Sequence, residues 1–136
     1  MLSNYISKDL INQIEDEYSI KITYCTEDVH GKVKDEAYSG GNEIFLGKYS
    51  SLKLEILCLF HELGHILSRR KKSNEFFICT LSEEAVAWEI CIELINKHKD
   101  WFDCEFDLNN YYGEELKFMR KCLKSYFDSE YNELRV

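Results

Sequence analysis

Apolar residues recur along this chain with two periods, and the change from one to the other marks out its elements. After Ser7, Leu10, Ile11 and Ile14 repeat at helical spacing, which predicts a helix over about residues 8–18 with Ser7 as N-cap. Ile20 to Tyr24 alternates and is rich in β-branched residues, the pattern of a strand. The stretch Thr26–Glu36 is polar, with a turn at His30-Gly31. Ala37-Tyr38 and Asn42–Leu46 flank Gly40-Gly41 and predict a short hairpin or two edge strands. Together these pieces predict a small antiparallel sheet.

From Leu54 to Leu67 the apolar residues no longer keep to one face. Ile56-Leu57-Cys58-Leu59-Phe60 precedes His61-Glu62-Leu63-Gly64-His65, and Ile66-Leu67 follows. A helix capped by Ser50 or Ser51 and running to about Arg70 is therefore buried nearly all round. A connector over Ser73–Cys79 leads to a second long helix, Leu81 to about Lys97, whose start fits a capping box in Thr80-Leu81-Ser82-Glu83. Glu114 and Glu115 open a last helix through about Phe127, with Leu116, Met119, Cys122, Leu123 and Tyr126 as its apolar stripe. The fold class expected is α+β, in one domain spanning 1–136: a core over 5–98 and a C-terminal helical extension over 99–136.

Composition narrows the picture. A net charge of −8 argues against a phosphate-binding surface, so no direct contact with nucleic acid is expected. The basic cluster Arg69-Arg70-Lys71-Lys72 directly follows the apolar helix, where cations complement the C-terminal end of the macrodipole. Six cysteines are irregularly spaced without a CxxC pair, which reads as buried free thiols rather than a disulfide framework. There is no proline, no signal-like N-terminus in Met1–Leu10, and no apolar run near the roughly 18 residues that span a bilayer. A cytoplasmic protein without membrane contact is the expectation.

Three polar residues inside the apolar helix carry the chemistry. His61 and His65 lie one turn apart on one face and can chelate a single metal, with Glu62 beside them. Imidazoles and a carboxylate buried in such a helix need partners, and a metal ion supplies them. A zinc site needs a third protein ligand and leaves the fourth position to water. His30, in a polar turn, and His98, after a helix end, read as surface residues. Cys58, on the same side of the helix, reads as packing beneath the metal. Glu84 is the better third ligand: it projects about 160° from the polar side marked by Ser82, Glu89, Glu93 and Asn96, towards Trp88, Cys91 and Ile95. Glu83, occupied by the capping box, stands in reserve.

HELGH followed by Glu84-Ala85-Val86-Ala87-Trp88 resembles the gluzincin arrangement, and more narrowly the ImmA/IrrE-like metallopeptidases of bacteria, phages and mobile elements. The order of helix, small sheet, HELGH helix and Glu helix over roughly residues 5–98 is similar too. The resemblance implies a minimal zincin-like fold, one zinc ion on His61, His65 and Glu84, and Glu62 as general base. It also implies hydrolysis of a peptide bond in a specific intracellular protein such as a transcriptional repressor. Asn42–Leu46 is the expected edge for an extended substrate, and Tyr38, Tyr49, Tyr111 and Tyr112 are candidate donors to the developing oxyanion. The alternative is a zinc-containing binding module that sequesters a regulatory protein without cleaving it. A hydrolase for a small molecule is a third reading.

Overall fold

The computed structural model describes residues 5–24, 37–71 and 81–134, apart from the side chains of 37, 38 and 129–134. The turn at His30-Gly31, Cys25, Lys72, the connector Ser73–Cys79 and the cap residue Thr80 lie outside the described residues. Local signals set the first elements. The Ser7 hydroxyl accepts from the Leu10 N–H at 3.2 Å and starts α1 (Lys8–Tyr18), which ends on Ser19 in the left-handed region at φ 54°. Strand β1 (Lys21–Tyr24) follows, then the hairpin β2 (Ala37–Gly40) and β3 (Glu43–Leu46), turned through Gly41 at φ 61°.

The sheet is mixed rather than antiparallel, and its strand order is β1-β3-β2. β2 pairs antiparallel with β3 as a hairpin must, whereas β1 pairs parallel with β3 in the register Ile22↔Ile44 and Tyr24↔Leu46. Asn42–Leu46 is thus the central strand, not an edge. The reason is burial: Ile44 and Leu46 are fully enclosed, and a strand flanked on both sides satisfies its backbone groups there. The opposite face carries polar contacts, with Thr23 Oγ1 donating to Glu43 Oε2 at 2.7 Å and Lys21 Nζ 3.8 Å from that oxygen.

α2 (Leu52–Lys71) starts with the Ser51 hydroxyl accepting from Leu54 N–H at 3.2 Å. Every residue from Glu55 to Ile66 is buried, so α2 is the central rod of the molecule, packed on β2 and β3 on one side and on α3 (Leu81–Lys97) on another. Full burial of a Leu, Ile or Phe side chain contributes roughly 1.5–3 kcal/mol, and Leu57, Leu59, Phe60, Leu63 and Ile66 all qualify. A short 3₁₀ turn, Lys99–Trp101, leads to α4 (Glu114–Leu134), which reaches beyond the expected Phe127. α4 packs on α3 through a T-shaped contact between Phe118 and Trp88, with ring centroids 6.0 Å apart. Its buried Glu115 accepts from Asp107 N–H and lies 3.6 Å from Lys53 Nζ of α2. No helix among the described residues is long and apolar enough to cross a membrane.

Candidate metal centre

α2 and α3 meet backbone to backbone at one point. A Cβ on Gly64 would lie 2.4 Å from the carbonyl oxygen of Ala87, closer than any side chain tolerates, so only glycine permits this approach. The two histidines flank that contact on α2, and Glu84 stands nearly one turn before Ala87 on α3. Glu84 Oε2 consequently lies 3.3 Å from His61 Nε2 and directly against His65 Nε2. The ligating atoms of His61, His65 and Glu84 all fall within 4.8 Å of one another. All three residues are buried, Glu84 to 3%, His65 to 5% and His61 to 7% exposure.

Burial pushes the Glu84 carboxyl up, but hydrogen bonds and charge from His61 and His65 outweigh it and hold the group well below the usual carboxylate range. The start of α3 adds the positive end of its dipole. Two nitrogens and one carboxylate oxygen converging in this way are the donor set of a hydrolytic zinc site with an open fourth position. His61 Nδ1 is buried without a hydrogen-bond partner among the described residues, so Nε2 is the nitrogen directed at the shared centre. A divalent metal fits.

Glu62 is buried to 7% exposure, with Oε2 3.9 Å from His61 Nε2. Cys58 is buried and lies outside the ligating group, as packing beneath the site requires. Cys58, Cys91, Cys104 and Cys122 form no disulfide among the described residues. Glu83 is only partly buried and lies outside the ligating group too. Among the candidate oxyanion donors, Tyr111 and Tyr112 are exposed, the Tyr38 side chain lies outside the described residues, and Tyr49 is buried. Burial raises the Tyr49 phenol above its ordinary pKa, the neighbouring Cys58 adds to that, and Glu62 contributes further.

His98 corrects the sequence reading. It is 8% exposed, takes a hydrogen bond with the Tyr18 hydroxyl at Nε2, and stacks on Trp101. The signal was present, since His98 continues the buried stripe Cys91, Leu94, Ile95 at helical spacing. Glu55 escaped notice, and the basic cluster has a role beyond the helix dipole. Glu55, 1% exposed, accepts the backbone N–H groups of Tyr5 at 2.8 Å and Ile6 at 3.1 Å, pinning the N-terminal segment to α2. Arg70 donates to Tyr18 O, Ser19 O and Asn42 Oδ1, and Arg69 donates to Ser39 Oγ, so the basic cluster ties α2 to α1 and the hairpin as well as facing its dipole.

A cleft of about 510 Å³ lies at the far end of α3, lined by Ile95, Lys99, Phe102, Cys104 and Phe106 among others, and does not reach the triad. No protein-family model matches the chain, and neither a curated protein nor a solved structure matches it significantly.

Proposed function

We propose that this protein is a zinc-dependent endopeptidase that cleaves a specific intracellular regulatory protein. The observation that carries the proposal is the buried convergence of His61, His65 and Glu84 with Glu62 alongside. One zinc ion there would supply Lewis acidity, polarising a carbonyl and lowering the pKa of a water from 15.7 to about 7. The protein's own contribution is positional. His61 and His65 would hold the ion from one helix and Glu84 from the next, while the Glu62 carboxylate takes a proton from the water and returns it to the leaving amine. With β3 in the middle of the sheet, an extended peptide would add to β2, the edge strand that packs on α2. The resemblance of HELGH and the Glu84–Trp88 segment to the ImmA/IrrE-like peptidases supports a regulatory protein as target.

A binding module that captures a regulator through a zinc-stabilised fold is the second reading. It draws on the scant exposure of the triad and on the distance of the cleft from it. Glu62 weighs against it, because a purely structural metal has no use for an adjacent base. Glu62→Gln decides between them. That variant should keep zinc and fold, retain the target in a pull-down, and leave it intact, while wild type cleaves what the variant retained. A captured partner that stays whole after long incubation with zinc-loaded wild type would overturn the peptidase reading.

A further inference from the structure

We infer that Trp88 is the positioning residue of His61, its indole face holding the imidazole in the orientation that metal binding requires. The inference rests on the zinc reading above. A histidine side chain has a broad second torsion, so burial alone leaves its ring plane loosely set. Metal-binding histidines ordinarily solve this by donating the other ring N–H to a carboxylate or carbonyl. His61 has no such partner among the described residues: its Nδ1 is enclosed and makes no hydrogen bond. What it has instead is Trp88, stacked nearly parallel at 3.9 Å between ring centroids and 20° between planes.

The indole is itself held. Trp88 is buried, and Phe118 of α4 meets it edge-on at 6.0 Å and 88°. Trp88 also follows Glu84 by one helical turn, so a single face of α3 presents both a ligand and the group that orients another ligand. The stack favours the loaded state: an imidazole whose Nε2 binds a cation is electron-poor, and an indole face attracts it more strongly than it does the neutral ring.

The molecule contains its own control. His98 stacks on Trp101 at 3.6 Å and 14°, yet it also has the Tyr18 hydroxyl on Nε2, so its ring has a hydrogen bond as well as a stack. Among the described residues the ring contact of Trp101 is with His98, not with a residue of the triad.

The experiment measures zinc affinity by chelator competition on the full chain, alongside the melting temperature of the metal-free protein. Trp88→Leu should weaken zinc about tenfold or more, the range known for partners behind a ligand. Trp88→Phe, which keeps an aromatic face, should stay within about threefold. Trp101→Leu should lower the melting temperature yet leave zinc affinity within about twofold. Should Trp88→Leu fail to fold, Trp101→Phe leaves Trp88 as the sole tryptophan, and one equivalent of Co²⁺ should quench its emission. Wild-type affinity in Trp88→Leu, equal weakening by Trp88→Leu and Trp101→Leu, or unchanged emission on Co²⁺ loading would each overturn the inference while leaving the zinc site standing. A wild type that takes up no zinc at all would overturn both.

Discussion

Burial works against the ionised Glu84 carboxyl, and hydrogen bonds and charge from the two imidazoles facing it outweigh that burial. Breaking such an arrangement from one side is costly, since the groups left behind remain buried and lose their partner. In the metal-free protein His61 and His65 stabilise the Glu84 anion, and in the loaded protein all three would share one cation. Glu83, one residue earlier, has none of this geometry: it is partly exposed and outside the ligating group. The pair therefore makes a clean comparison. Glu84→Ala should weaken zinc by more than the roughly 10–100-fold that follows loss of a group behind a ligand, because it removes one of the three proposed ligands. Glu83→Ala should leave zinc affinity nearly unchanged. Competitive zinc titration of the two variants checks this, and the reverse order would transfer the third ligand to Glu83. A second readout is thermal. Zinc at about 100 times its dissociation constant should stabilise wild type by about 2.7 kcal/mol, and that gain should vanish in Glu84→Ala at the same zinc concentration.

At the level of elements the site depends on how closely α2 and α3 approach. Alanine is the better helix former by about 1 kcal/mol, so propensity alone would favour Gly64→Ala. Geometry reverses the sign. The added methyl would sit 2.4 Å from a backbone oxygen of Ala87, which cannot swing aside as a flexible side chain could. Overpacking of this kind costs about 1–3 kcal/mol, and any relief must come from moving α3 bodily away from α2. Gly64→Ala should therefore lower stability and weaken zinc together, because Glu84 moves away with its helix. Chemical unfolding and zinc titration of the same preparation test it, and an undiminished affinity would show that the helices are not held by this contact. The contact was not legible in HELGH, where Gly64 reads only as a break in the apolar pattern. Both histidines, Glu62 and Glu84 were legible, since each is a polar residue projected into an apolar stripe. The same logic applied to Glu55 would have found it, as it lies one turn before Leu59 on the all-buried rod. Strand order was beyond the sequence: Ile22, Ile44 and Leu46 alternate alike whether a strand is central or at an edge, and nothing local in β1 tells parallel from antiparallel.

Across the whole molecule, polar ties hold the surrounding elements to the central rod and to each other. Glu55 fastens the N-terminal segment at the start of α2, and Arg70 fastens the end of α1 and the hairpin at its finish. The Tyr18–His98 contact joins α1 to the end of α3, some eighty residues apart in sequence. This last tie makes stability depend on pH. Burial lowers the His98 pKa below its ordinary 6.5, Lys97 lowers it further, and Glu17 opposes them. The unfolded chain thus takes up a proton at His98 more readily than the fold does. The contribution of His98 is present in full above the unfolded value of about 6.5 and is lost as the pH falls towards the folded value. Tyr18 and His98 Nε2 share a hydrogen bond, and once protonated Nε2 can only donate in it. His98→Gln, which keeps a polar group but does not titrate, separates this effect from others. In chelator, to exclude metal, urea unfolding at about pH 7.5 and about pH 5.5 should show a smaller loss of stability in His98→Gln than in wild type, even if the variant starts lower for want of the Trp101 stack. An equal loss in the two proteins would place the pH sensitivity elsewhere, with the groups of the metal centre the next to test.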